Sequence, residues 1–375
     1  MEKWSLIQLP YAISMRLVID RYLRPGHTLA LSLSLALMLL PPTAEARNPK
    51  KPASPPTMLQ NPEVVDFIQQ MSTKYGFDQS TLSANFENQR PDNRIIRIMA
   101  PAPTQLTPNW VAYRDRFVNS RRINRGVQFW DAYSDTLERA AREYGVPQEI
   151  IVAIIGVETE YGRNMGSFNV LNALASIGFY GERRREFFQS ELEQYLLLAR
   201  DNNLDLLTTR GSFAGALGIP QFMPSSQRRW GVDFDGNKKV DLIHSPMDAI
   251  GSVANFLKSH GWQKDQVATI PVTPPQPLPT DFEKVDVKPG LSLAQYRDAG
   301  FVFASPLRES TPATLVSLSS PKAATQNWLG LNNYYVITRY NRSAAYAMSV
   351  IELGEAIRQA RVASLAATAS TTLQE

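Results

Sequence analysis

The chain has 375 residues, 43% hydrophobic and 20% charged, which suits a soluble globular protein with a sizeable core and room for two or three domains. Its formal net charge of +4 favours anionic surfaces such as a cell wall only mildly, and no Lys/Arg-rich block in the folded part implies nucleic acid. The absence of cysteine excludes disulfides, thiolate metal sites, cysteine nucleophiles and attachment of lipid to a cysteine.

At the N-terminus Thr28 to Leu40 is apolar, preceded by Arg21 and Arg24 and followed by the small-residue cleavage pattern Ala44-Glu45-Ala46. The stretch falls short of the roughly 20 residues that span a bilayer. Residues 1–46 therefore read as a secretory signal peptide, with an uncleaved membrane anchor as the alternative. Met15 would serve equally as the start. Residues 47–58, containing Pro49, Pro52, Pro55 and Pro56, read as an extended Pro-rich linker.

From Pro62 to about Gly145 the pattern is helical. Val64, Val65, Phe67, Ile68 and Met71 fall at helix spacing, and Tyr75-Gly76-Phe77 marks a stop. Beyond Pro101, Pro103 and Pro108, Trp110, Tyr113 and Phe117 sit at i, i+3 and i+7, and Phe129, Trp130, Tyr133 and Leu137 form a second stripe; both read as core. Gly145-Val146-Pro147 starts a helix that carries the apolar run Ile150 to Val157 and then Glu158. Another helix follows at roughly Arg183 to Arg200. Gly211 to Ser226, rich in Gly, Pro and small residues, reads as a tight segment that exposes its backbone. Asp248 to His260 is helical. From Thr269 to about Leu318, clustered prolines and short alternating runs such as Phe301-Val302-Phe303 predict a small antiparallel β unit. Helix returns over Ala344 to Arg361, and the Ala/Ser/Thr-rich end reads as a disordered tail. No internal repeat is present.

Glu158 is the most informative residue. On a helix it shares a face with Ile151, Ile154 and Ile155, so its carboxyl points to the interior or a cleft, where desolvation raises its pKa. A carboxylic acid that keeps its proton near neutral pH is what glycosidic-bond cleavage needs. Glu160 lies roughly 200° around the helix and cannot pair with it as acid and base. The alternative is a buried structural carboxyl satisfied by a hydrogen bond or by an arginine such as Arg163. In the segment 211–226, glycines let backbone approach a flat ligand, while Ser212 and Gln221 offer neutral hydrogen-bonding groups suited to sugar hydroxyl and acetamido groups. A tight structural turn is the plainer reading of the same residues.

The loop Asp233 to Asp241 has oxygen ligands at EF-hand positions 1, 3, 5 and 9 (Asp233, Asp235, Asn237, Asp241) and a carbonyl at position 7, Lys239. Asp248 would supply a late ligand. Lys238 in place of Gly at position 6, neutral Asn237, and His244 in place of Glu at position 12 weaken the site. A structural Ca2+ or Na+ and a solvated Asx-rich turn both remain open, and no cofactor is required. His244 and His260, the histidines beyond His27, are too few for a histidine-rich metal site, and there is no Gly-rich phosphate loop or G-x-S-x-G elbow.

Taken in order, several motifs carry a resemblance: Tyr144-Gly145-Val146-Pro147, Gly156-Val157-Glu158-Thr159 with Tyr161-Gly162-Arg163, the segment Ala214 to Ser226, Val232 to Gly236, Asp248 to Asn255, His260-Gly261-Trp262 and Thr338-Arg339-Tyr340-Asn341. The chain from about Pro62 to Arg361 resembles the lytic murein transglycosylase B family, which cleaves peptidoglycan glycan strands. The resemblance implies an α+β, mainly α protein: a lysozyme-like catalytic core, an additional α-helical domain and a small inserted antiparallel β domain. On that pattern residues 59–139 form the α domain, 140–266 the core with its cation loop at 233–248, and 267–311 the β domain. Residues 312–349 return to the core, 350–363 form a helix packing on the α domain, and 364–375 are the tail.

The same resemblance makes Glu158 the single acid and base, with Ser212, Gln221, Tyr340, Asn341 and Tyr346 against the sugars and Arg183 and Arg184 on the peptide stem; a solvated helix face is the alternative for the arginines. Phe256 stands where many relatives would carry tyrosine. The expected reaction is substrate-assisted cleavage between N-acetylmuramic acid and N-acetylglucosamine, leaving 1,6-anhydromuramoyl ends. A hydrolytic muramidase and a non-catalytic wall-binding scaffold are the alternatives. The expected partner is peptidoglycan, with no nucleic acid and no membrane span after signal cleavage. The expected location is the periplasm, in soluble form; partners among wall-synthesis enzymes are unknown.

Overall fold

The computed structural model describes residues 56–101, 107–282 and 286–372, with side chains through residue 367. The expected signal peptide and most of the linker lie outside the described residues. The chain divides into two compact units between Pro91 and Asp92.

In the smaller unit a 3-10 turn, Met58–Gln60, leads into α1 (Pro62–Tyr75) and α2 (Gln79–Glu87). Asn61 caps α1 by accepting the Glu63 N–H at 3.0 Å, and Gly76 ends it in the left-handed region at φ 69°. Val64, Phe67, Ile68 and Met71 are buried together with Leu82 and Phe86, whereas Val65 is 40% exposed. One residue turns the helix by about 100°, so Val65 leaves the face that Val64 occupies.

The larger unit begins with α3 (Asn93–Met99), α4 (Trp110–Arg114), α5 (Ser120–Ala132), α6 (Ser134–Tyr144) and α7 (Gln148–Thr159). Every residue of α7 from Ile150 to Val157 is buried. A helix apolar on all sides belongs at the centre of a core, and α7 is packed by α5, by α6 and by two later helices, α11 (Pro246–Ser259) and α14 (Ala344–Thr372). Each of its isoleucines contributes about 1.5–3 kcal/mol on burial. Between them come β1 (Phe168–Asn169), α8 (Val170–Tyr180), α9 (Arg185–Asn202), β2 (Arg210–Gly211) and α10 (Pro224–Trp230). β1 and β2 form an antiparallel pair that anchors the start of the Gly-rich segment.

The remaining elements are β3 (Thr269–Pro271), β4 (Leu291–Ser292), α12 (Leu293–Asp298), β5 (Pro312–Ser320), β6 (Ala323–Gly330) and α13 (Asn332–Tyr340). The four strands make an antiparallel sheet in the order β3-β6-β5-β4, registered through Ile270↔Leu329, Leu315↔Leu329 and Leu291↔Ala313. Phe282, Leu293, Tyr296, Phe301 and Phe303 share its apolar cluster. Two boundaries differ from the sequence reading. The sheet takes in residues 312–330, because the alternating run at Thr314–Leu318 pairs with a strand whose first half is too polar to announce itself. α14 runs to Thr372, past residue 363 where a disordered tail was expected; alanine, frequent there, is the strongest helix former. The fold is mainly helical with small antiparallel sheets, as expected.

Candidate active site

The site grows from the last turn of α7. Thr159 donates its hydroxyl to Ile219 O at 2.8 Å and accepts the Gly162 N–H at 2.9 Å, tying the helix end to the Gly-rich segment. The chain then leaves through two consecutive left-handed residues, Glu160 (φ 52°) and Tyr161 (φ 64°). Such a conformation costs a non-glycine residue about 1–2 kcal/mol. Ion pairs help to offset it: Glu160, only 2% exposed, meets Arg121 at 3.0 Å, Arg122 at 3.6 Å and also Arg125. Tyr161 donates its hydroxyl to Arg122 O at 2.9 Å. A Cβ at Gly156 would stand 2.6 Å from that hydroxyl, so glycine is required where the ring folds back over the helix.

Glu158, on the other side of this turn, has a different environment. Its Oε1 accepts the Tyr346 hydroxyl at 2.6 Å. Burial pushes the Glu158 carboxyl up to about 7, with the Tyr346 hydrogen bond acting in the opposite direction. Tyr340 donates to Pro220 O at 2.5 Å, and its ring stacks on that of Tyr346 with centroids 6.5 Å apart. Burial and the nearby Glu158 push both of these tyrosines well above the usual phenol range. Tyr113 of α4 is pushed up by the same two causes and is 93% buried, and its hydroxyl has no hydrogen-bond partner. Arg163, the candidate counter-ion for Glu158, is exposed. The result is an acid in a pocket of phenols, able to hold a proton near neutral pH and to release it.

The structure engages Ser212 and Gln221 in loop geometry. Ser212 is buried, and its Oγ accepts the N–H groups of Ala214 and Ala216 at 3.3 and 3.0 Å, which leaves its hydroxyl proton to donate. Gln221 sits in the left-handed region (φ 51°) and donates Nε2 to the carbonyls of Met165 (3.1 Å) and Gly218 (2.8 Å), so its amide oxygen is the atom left to accept. Asn341 is buried with its Oδ1 unpartnered. Tyr340 and Tyr346 gather at Glu158. Arg183 is exposed beside the N-terminus of α9, and the Arg184 guanidinium lies over the Phe187 ring at 4.0 Å. Phe256 packs its ring 4.9 Å from that of Tyr340, an apolar contact. Tyr113 was missed by the sequence reading, because an aromatic at helix spacing carries the same signal whether it fills a core or faces an acid.

In the loop that follows α10, carboxylate oxygens of Asp233, Asp235 and Asp248 lie within 4.8 Å of one another. Asp233 accepts the N–H groups of Gly236, Asn237 and Lys238, and buried Asp248 accepts those of Phe234, Asp235 and Asp241. Asn237 accepts the Lys239 N–H at 2.9 Å. Asp241 instead faces His244 at 3.1 Å and Lys239 at 3.6 Å, and Lys238 takes the left-handed position at φ 71°. Three clustered carboxylates fit a hard cation; the turn of Asp241 toward His244 and Lys239 takes it out of the donor set and leaves that set a poor one.

The transglycosylase SLT domain model matches residues 60–355. The chain is 44% identical over 311 residues to the membrane-bound lytic murein transglycosylase B of Escherichia coli K12, covering 80% of this chain and 84% of that protein. It is similar to the crystal structure of E. coli lytic transglycosylase Slt35 in complex with calcium, at 43% identity and a TM-score of 0.73, covering 80% of this chain and 94% of the other. It is also similar to SltB3 of Pseudomonas aeruginosa solved with NAG-anhNAM-pentapeptide, at 28% identity and a TM-score of 0.69, covering 79% of each chain.

Proposed function

The chain belongs to the transglycosylase SLT domain family, and from that premise we propose that it is a lytic transglycosylase that cuts peptidoglycan between N-acetylmuramic acid and N-acetylglucosamine and leaves 1,6-anhydromuramoyl ends. Protonated Glu158 donates to the glycosidic oxygen. The 2-acetamido group of the muramoyl ring stabilises the developing positive charge. Ionised Glu158 then takes the proton of that sugar's 6-hydroxyl as the oxygen attacks the anomeric carbon, and no water is consumed.

One observation carries this reading: Glu158 is an acid raised to about 7 by burial, with the Tyr346 hydroxyl bonded to it and no carboxylate among the groups that shift it. The NAG-anhNAM-pentapeptide bound by SltB3, at 28% identity, supports the anhydro end. Ser212, Gln221, Tyr340, Asn341 and Tyr346 contact the sugars, and Arg183 and Arg184 the acidic peptide stem. Asp233, Asp235 and Asp248, with Asn237 and the Lys239 carbonyl, would hold a Ca2+ or Na+ ion whose part is structural, while Asp241, expected as a further ligand, turns to Lys239 and His244. The protein acts in the periplasm; none of the described helices is long and apolar enough to cross a membrane.

The test is mass spectrometry of digested peptidoglycan. Products one water lighter than hydrolysed ends are expected from the unmodified protein, and none from Glu158→Gln. Hydrolysed ends alone would replace this reading with a muramidase.

A further inference from the structure

α4 is five residues long, too short to hold itself in place, yet it carries Tyr113 to Glu158. Much of its grip comes from the β5–β6 hairpin. The buried Trp110 donates its indole Nε1 to Gln326 Oε1 at 2.8 Å, the Val111 N–H donates to Ser320 Oγ at 3.0 Å, and the Trp110 ring meets Trp328 edge-on at 6.3 Å. On α14, Glu352 pairs with Arg114. One turn past Trp110, Tyr113 lies 7% exposed within electrostatic reach of Glu158.

We propose that Gln326 and Ser320 are positioning residues for the reaction at Glu158: the hairpin clamps α4 so that the Tyr113 ring keeps water off the carboxyl. The inference rests on Glu158 being the acid. Tyr346 from α14 is bonded to Glu158, and Tyr113 from α4 and Tyr340 from α13 lie within its electrostatic reach; burial keeps all three phenols uncharged at neutral pH. Exclusion of water is therefore what keeps the proton on Glu158. A loosened α4 admits water, favours the ionised form and lowers the pH at which the proton is lost.

The experiment compares Ser320→Ala/Gln326→Leu, Gln326→Leu alone and Gln326→Glu, which retains an oxygen acceptor for Trp110, with the unmodified full chain. Rate against pH is followed on a soluble muropeptide oligomer, with thermal melting measured alongside. In the double variant the alkaline limb should move about half a pH unit or more toward acid, and kcat should fall roughly tenfold with KM changed little. Gln326→Glu should keep the limb in place. A folded double variant with an unmoved limb overturns the inference; if it does not fold, the limb of Gln326→Leu decides in the same way. If the unmodified protein makes no anhydro ends, or Glu158→Gln stays active, the functional reading fails instead.

Discussion

Glu158 and Glu160 stand two residues apart at the end of one helix, in opposite surroundings. Glu158 faces phenols and carries its proton to about pH 7. Glu160 is more fully buried, at 2% exposed, and three arginines surround it. Desolvation alone makes a carboxyl hold its proton; ion pairs to three arginines make the other carboxyl an anchor. The same residue type becomes a proton donor on one face and an anchor on the other, and the anchor fixes the turn from which the donor projects.

Removing the anchor should have the largest effect on the fold. Glu160→Gln leaves three guanidinium groups around a neutral amide, and breaking a buried ion pair from one side costs about 3–5 kcal/mol. Urea unfolding measures it; a loss below about 1 kcal/mol would mean that the arginines find other partners and that the two faces are less different than they look.

Glu158→Gln should do the reverse. A folded-state pKa raised to about 7 from an ordinary 4.5 stabilises the protein fully below pH 4.5 and loses that contribution as pH rises through 7. The amide variant has no such loss. It should therefore unfold later than the unmodified protein at pH 8, by about 1–3 kcal/mol, and show no comparable gain at pH 4.

Tyr346→Phe sharpens the contrast further. The Tyr346 hydrogen bond favours the ionised form of Glu158, so its loss should move the alkaline limb of the rate profile upward, by up to about one pH unit. Movement toward acid would assign the phenol a different part.

The smallest effect belongs to the Asp loop. Calcium at about ten times its dissociation constant should raise unfolding free energy by only about 1.4 kcal/mol, with no shift of the rate limb. A Tm that ignores calcium would leave the loop an Asx turn.

Much of this was legible in the chain. The apolar run before Glu158 announced both a central helix and a desolvated acid, and the two-residue offset placed Glu160 on the far side. The Gly-rich segment was found as well, but the use of Ser212 Oγ as a backbone acceptor was not, since a hydroxyl suited to sugar suits an N–H equally. Tyr340, Asn341 and Tyr346 were reached only through resemblance to a family. Tyr113 was read as core, and it is buried, but its place near the acid was not legible; nor was the β6 strand, whose first half is polar because its side chains are exposed.

What the sequence determined by itself is local: helix periods, stops at Gly76 and Gly145, the expense of ionising a carboxyl that follows eight apolar residues, and the absence of thiol chemistry. Which groups would meet that carboxyl depended on tertiary structure. Tyr113 and Tyr346 are separated by more than two hundred positions, and only packing of α4 and α14 around α7 brings both to Glu158. Desolvation and hydrogen bonding act over a few ångströms of space, and separation along the chain carries no record of it.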